Sequence, residues 1–395
     1  MTDYRKVYLD YSATTPVKEE VLNEMIPYFT ERYGNASSLY TIGLESKAAL
    51  DKAREQVANL VGASPKEIYF TGSGSEADNW ALKNMAFDMR AKGKGNHIIT
   101  SRIEHHAILH TCEYLEKQGF EVTYLDVDKE GFVSPEDLEK NIKDETILVS
   151  VMFINNEIGT VEPIKDLAET AHRHKVLFHT DAVQAVGNVH IDVKDLGIDM
   201  LSMSAHKIYG PKGQGALYIR KGVRLSNFIH GGAQEMGKRA GTENMAGIVG
   251  FGKAAEIAQK NLDAHIKHCS ELRDYLIEEI EKRIPKVFVN GSRKHRHPGN
   301  ANITFEYIEG ESILLLMDMY GIAVSTGSAC SSKSLNPSHV LSAIGIPHEM
   351  IHGSIRFTTG DLTTKEDIDF AVEKLVEVVE KLRELSPVNS EKGWN

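Results

Sequence analysis

The sequence predicts an α/β protein: a mainly parallel seven-stranded sheet covered by helices, followed by a smaller α+β region. Three features carry that expectation. From about residue 45 to 225, short apolar runs alternate with amphipathic stretches, as strands joined by crossover helices do. An amphipathic stretch over 246–283 then reads as a long helix, broken near Asn261. Beyond it, short strands and helices mix without regular alternation.

In chain order, strands of the large sheet are expected at 68–70, 97–100, 122–125, 146–153, 176–179, 200–203 and 216–219, where the residues are apolar and many are β-branched. Helices fill 75–91, 107–118 and 164–174, with a short turn of helix at 193–196. The last strand follows Gly210-Pro211-Lys212-Gly213 too closely for a crossover helix, so it is expected to be antiparallel. After the long helix, strands are expected at 287–289, 301–305, 323–325 and 354–357, and helices at 311–319, 337–343 and 365–385. Residues 16–261 are expected to form the large domain, with 1–15 and 262–395 in the smaller one. The tail at 386–395 is polar and expected to fray.

The chain has 395 residues, 41% hydrophobic and 26% charged, which suits a soluble globular protein and not a disordered one. Acidic residues outnumber basic ones by 56 to 45, against direct nucleic-acid binding. The opening residues lack a signal-peptide pattern, and no uncharged run approaches the roughly 18 residues that span a bilayer. Three cysteines, an odd count, point to a reducing compartment. A soluble, cytoplasmic protein is expected, with no membrane partner.

Three segments carry chemistry. Phe70-Thr71-Gly72-Ser73-Gly74-Ser75-Glu76-Ala77 lies between a strand and a helix. Its glycines and the helix N-terminus would cradle an anion. The same text fits a dinucleotide fingerprint, and Ser73 with Glu76 has capping-box spacing. Asp181 ends an apolar strand, where open α/β sheets bind ligands, although such an aspartate also caps turns. Lys207 follows a buried strand and precedes a Gly-Pro turn; a lysine there is either a solvated charge or a desolvated nucleophile. An anion cradle, a strand-end carboxylate and a strand-end lysine together match what pyridoxal phosphate needs.

The cysteines separate by pattern. Cys112 and Cys269 sit in apolar helical stripes and read as small core residues. Cys330 lies in a small, polar loop at about 325–336 that has no apolar period. Seventeen histidines are present, but neither His106/His110 nor His295/His297 has a cysteine or carboxylate at familiar metal spacing, so no metal is expected.

At this point the sequence resembles a known family over nearly its whole length: the cysteine desulfurases of the NifS/IscS-like branch, within the class V aminotransferase superfamily of fold-type I pyridoxal phosphate enzymes. The resemblance rests on 8–16, the Gly74-Ser75-Glu76 turn, Glu104-His105-His106, 155–159, the Asp181/Gln184 and His206-Lys207 segments, 239–244, the Cys330 loop and Arg356. It implies that Lys207 holds the cofactor and moves the α-proton, and that His105 stacks on the ring and takes part in proton transfer. Asp181 would pair with the ring nitrogen, with Gln184 and Asn155 near the ring oxygen. Gly74, Ser75, Ser204 and His206 would hold the phosphate, with Thr242 reaching it from the other subunit of a homodimer. Arg356, with Asn155, would bind the carboxylate of L-cysteine, and Cys330 would take the sulfur as a persulfide. The acceptor would be an iron–sulfur scaffold protein or a tRNA-thiolation protein. Two departures stand out: Ala36 and Tyr40 replace a proline and a histidine usual in the family, and Ser75 replaces threonine. The rivals are a selenocysteine lyase, an aminotransferase, which needs no thiol, a NAD-dependent oxidoreductase, which leaves Lys207, Asp181 and Cys330 without a role, and a non-catalytic scaffold, which would lack a key group.

Overall fold

The structure is a computed structural model that describes residues 5–327 and 337–386. Cys330 and most of its loop, and the tail past residue 386, lie outside those residues. The chain opens with β1 (Val7–Tyr8), α1 (Glu19–Met25), α2 (Pro27–Thr30) and α3 (Thr41–Leu60). The large sheet comprises β2 (Ile68–Thr71), β3 (His97–Ser101), β4 (Glu121–Leu125), β5 (Thr146–Ser150), β6 (Leu177–Asp181), β7 (Met200–Ser204) and β8 (Gly215–Ile219). Its order is β2-β8-β7-β6-β5-β3-β4. Every pair is parallel except those made by β8, which runs antiparallel to both β2 and β7. The tight turn before β8 therefore produced the reversal expected of it.

Helices cover both faces of this sheet: α4 (Gly74–Asn79), α5 (Met85–Ala91), α6 (His106–Lys117), α7 (Pro135–Asn141) and α8 (Ile164–Arg173). Residues Trp80–Asn84 between α4 and α5 form a π-helical segment, so the expected helix at 75–91 is continuous but locally widened. Residues 193–196 form a turn and not helix, with the Asp192 carboxylate accepting the N–H groups of Lys194 and Asp195. Two apolar clusters flank the sheet: one contains Val57, Phe70, Val149 and Phe178, the other Trp80, Ile98, Leu148 and Leu217. Their alternation along β5 shows a strand buried on both faces.

The long helix α9 (Met245–Arg283) is unbroken at Asn261. Asn261 is exposed, and its low helix propensity costs only a few tenths of a kcal/mol. Buried Ala255 and Leu262 on either side hold the helix against its neighbours. Close approach to α3 needs Gly252, where a Cβ would come 2.6 Å from the Ala53 Cα.

The remaining elements are β9 (Val287–Asn290), β10 (Asn300–Phe305), α10 (Gly310–Met319), β11 (Ile322–Ala323), α11 (His339–Ala343), α12 (His348–Ile351), β12 (Ser354–Thr358) and α13 (Lys365–Leu385). β12-β10-β9 form an antiparallel sheet, and β1 pairs in parallel with β11. Leu9, Ile303, Phe305, Phe357 and Leu375 share one apolar cluster. Both ends of the chain thus meet in this C-terminal region.

A buried ion pair ties α3 to the segment ahead of α9. Arg54 forks onto both oxygens of Glu235 at 2.7 and 2.8 Å, and Glu235 also accepts the Phe70 N–H. Arg54→Ala would leave the carboxylate buried without its cation, so a loss of roughly 3–5 kcal/mol in a urea titration is expected. Arg54→Met combined with Glu235→Leu is expected to lose less, since no lone charge remains.

Candidate active site

The parallel strands point their carboxyl ends into a cleft of about 470 Å³, the place where open α/β sheets bind ligands. Adjacent β6 and β7 run in register with Asp181 opposite Ser202. Asp181 and the Ser204–Lys207 segment therefore emerge side by side, and both line the cleft. Lys207 closes a short 3₁₀ turn after β7, and its Nζ donates to the carbonyls of Ser12 and Ala13 at 2.5 and 2.9 Å. Gln184 donates to the same Ser12 carbonyl at 2.9 Å and lines the cleft.

The 72–75 turn borders the cleft from β2. Ser73 caps α4 by accepting the Glu76 N–H, but the Glu76 carboxylate reaches the Gly72 N–H and pairs with Arg239. The Gly72 N–H is thus already taken by a carboxylate, and Gly74 and Ser75 are the turn residues left to face an anion in the cleft. Gly74 is required by space: a Cβ there would come 2.5 Å from Val183 Cγ2. Ser75, Ser204 and His206 complete this side. Burial, with Lys207 and Lys212 close by, pulls the His206 pKa down to about 4, so it is a neutral donor or acceptor at ordinary pH.

His105 caps α6 and its Nδ1 accepts the Ala107 N–H at 3.1 Å. Across the cleft, Arg356 donates to the Asn156 carbonyl at 2.9 Å and to Asp10 at 2.7 Å, while its Nε is buried with no partner among the described residues.

Two expected residues are not brought to the cleft. Asn155 is fully buried: its Nδ2 donates to the Ile103 carbonyl, and its Oδ1 accepts from Glu157 and Ile158. With its polar atoms committed to the turn, it cannot serve a ligand, and Asn156 lines the cleft instead. Thr242 is exposed and outside the cleft of its own chain. Cys330 lies outside the described residues, although Gly327 and His339, on either side of the undescribed loop, both line the cleft.

Comparison with known proteins follows this geometry. The aminotransferase class-V family profile matches residues 7–370. The chain is 56% identical over 387 residues to a cysteine desulfurase IscS of Dictyoglomus turgidum, covering 98% of each. It is 58% identical over 386 residues to that of Clostridium botulinum, covering 97% of each. A solved NifS-like protein superposes with a TM-score of 0.90 at 39% identity, over 96% of this chain and all of that one. The chain belongs to the cysteine desulfurases of the class-V aminotransferase family.

Three further residues support the cleft of this cysteine desulfurase: Asp78 and Glu104 line it, and Asp10 pairs with Arg356. Asp10 orients Arg356. Asp78 is buried beside Asp181; burial and that second carboxylate push its pKa well up. Glu104 accepts from Ser101 and from the Met152 N–H through Oε1, while its Oε2 is buried with no partner among the described residues. Burial pushes the Glu104 pKa up to about 8, against those two bonds. An unfolded glutamate releases its proton near pH 4, so the folded state holds the extra proton, and this carboxyl costs stability as pH rises towards 8. Glu104→Gln copies the neutral acid. Melting of the variant between about pH 6 and about pH 9 is expected to show a smaller loss of Tm than the parent; an equal loss would assign the proton elsewhere.

Proposed function

We propose that this chain removes sulfur from L-cysteine with the help of pyridoxal phosphate, releases L-alanine, and carries the sulfur as a persulfide on Cys330. The observation that carries the reading is the convergence of Lys207, Asp181, His105 and the 72–75 turn on one cleft faced by Arg356, in a chain whose full-length relatives are named cysteine desulfurases.

The donor set fits pyridoxal phosphate. Asp181 is a buried carboxyl that burial pushes upward in pKa, against the pull of His105, the Val183 N–H and Lys207; it suits a cationic ring nitrogen as partner. Gly74, Ser75, Ser204 and His206 supply small or donor groups at a helix start, which suits a phosphate. When bound, this group supplies an aldehyde for the amino group and a ring that withdraws electrons from it.

The protein does the rest. Lys207 Nζ holds the cofactor and then moves the substrate's α-proton. His105, which lines the cleft, would stack on the cofactor ring. Gln184, together with Asn156 in the position first given to Asn155, serves the ring oxygen. Arg356, which lines the cleft and is oriented by Asp10, takes the substrate carboxylate. In the sulfur step the Cβ–S bond of L-cysteine breaks as the Cys330 sulfur joins the substrate sulfur. Cβ gains the electron pair and a proton to become a methyl group. Carbon is reduced as the two sulfurs are oxidised, so no external oxidant is needed.

A homodimer accounts for two further features. Thr242 is exposed in its own chain and is read as serving the partner's cleft. Leu22, Ile26, Phe29, Tyr33, Leu39 and Tyr40 form an exposed apolar run, with Leu39 at 90%, of the kind a second copy covers. Tyr40, one of the two departures from the family pattern, belongs to it. Sulfur would pass from Cys330 to an iron–sulfur scaffold or a tRNA-thiolation protein, in the cytoplasm. Among the described residues, no helix is long and apolar enough to cross a membrane.

Borohydride is expected to fix the cofactor on Lys207, and Lys207→Ala to carry no fixed cofactor and lose activity by roughly 100-fold or more. Cys330→Ala is expected to keep the cofactor's absorbance and lose sulfide release from L-cysteine. Normal turnover by Cys330→Ala would refute the proposed sulfur route.

A further inference from the structure

β2 lies at the edge of the large sheet, so one side of it has no strand neighbour. Side chains take that place. Arg54 donates to the Ile68 carbonyl at 2.7 Å, Glu235 accepts the Phe70 N–H at 2.8 Å, and Glu76 accepts the Gly72 N–H at 2.8 Å. Each carboxylate is held in turn by an arginine. Arg54 forks onto Glu235, and Arg239 reaches the two oxygens of Glu76 through Nε and Nη2 at 2.9 and 3.3 Å. Backbone groups at every second residue, 68, 70 and 72, are therefore fixed by two arginine–glutamate pairs.

Glu235 and Arg239 belong to one segment, 225–244, ahead of α9. Its start is pinned beside α4: Trp80 Nε1 donates to the Ser226 carbonyl at 3.0 Å, and Phe228 stacks on Trp80 with ring centres 6.1 Å apart. A parallel bridge between Ile229 and Arg239 closes the segment on itself. Inside that closure Glu235, Met236 and Gly237 have φ of 48°, 56° and 77°. Two of these three successive left-handed residues carry side chains that disfavour such a backbone. It persists only where the surroundings fix it, as they do at functional sites. Here the closure delivers Arg239 onto Glu76. Gly72 leaves room for the carboxylate, since a Cβ there would come 2.7 Å from Glu76 Oε2.

We propose that Arg239 and Glu76 are positioning residues for the cofactor phosphate. The pair holds the 72–75 turn so that Gly74 and Ser75 face the cleft, and Arg239 cancels the charge of a carboxylate that would otherwise repel the anion. The inference rests on the reading that the phosphate lies at this turn. Neither Arg239 nor Glu76 is among the residues that line the cleft, so both act through the turn and not by contact.

The test reloads the full chain, stripped of cofactor, with pyridoxal phosphate or with pyridoxal, which has the same ring and aldehyde but no phosphate. Binding is read from cofactor absorbance, independently of turnover. The parent is expected to prefer pyridoxal phosphate. Arg239→Met strands the Glu76 charge and is expected to weaken pyridoxal phosphate by about tenfold or more, with pyridoxal changed by less than about twofold. Pyridoxal bound at parental strength also reports a folded cleft. Arg239→Gln, which keeps a donor and removes the charge, is expected to act in the same sense and replaces the first variant if that one folds poorly. Adding Glu76→Gln to either variant keeps an acceptor for the Gly72 N–H and removes the stranded charge, so part of the lost affinity is expected to return. In a folded variant, an equal loss for both compounds, no loss for either, or no recovery in the double variant would overturn the proposal. A parent that binds the two compounds equally would instead overturn the placement of the phosphate at the turn, and this inference with it.

Discussion

The parallel register of β6 on β7 is the constraint on which the cleft depends. With Asp181 opposite Ser202, β6 ends at its carboxylate while β7 runs on to Ser204, and the short turn that follows brings Lys207 back towards the carboxylate. A two-residue slip would carry one group away from the other, and a one-residue slip would turn a buried side chain to the wrong face. The antiparallel β8 beside β7 supports the arrangement, because its Gly215 lies too close to Ser73 for any side chain: a Cβ would meet the Ser73 carbonyl carbon at 2.5 Å. The anion-facing turn and the lysine are thus set by one strand pair.

The N-terminal segment forms the floor beneath that arrangement. The Ser12 carbonyl receives both Lys207 and Gln184, Thr14 meets His206, and Thr15 accepts the Tyr209 N–H. Two residues earlier, Asp10 holds Arg356. The same short run therefore positions groups on both walls of the cleft while its leading strand, β1, pairs with β11. That pairing links residues at the start of the chain to those just before the Cys330 loop.

Much of this was legible in the sequence, and the gaps have physical causes. The strand alternation, the reversal at β8, and the strand-end positions of Asp181 and Lys207 follow from local pattern and short connections. Asn155 and Asn156 could not be told apart that way, because adjacent residues in a turn point in unrelated directions and only the bonds to Ile103, Glu157 and Ile158 decide. The Asp10 partner, Arg356, lies 346 residues away, beyond the reach of spacing. Asn261 misled because propensity is weaker than packing. Cys269 is buried on α9, as its apolar helical stripe indicates.

The account turns on where the sulfur goes. The holoenzyme treated with L-cysteine isotopically labelled in sulfur, alkylated, digested without reductant and analysed by mass spectrometry reports this directly. One labelled sulfur on the Cys330 peptide, with Cys112 and Cys269 unchanged and L-alanine formed in the same amount, is the predicted result. Labelled sulfide released with no labelled sulfur on Cys330, or the label on another cysteine, would contradict it.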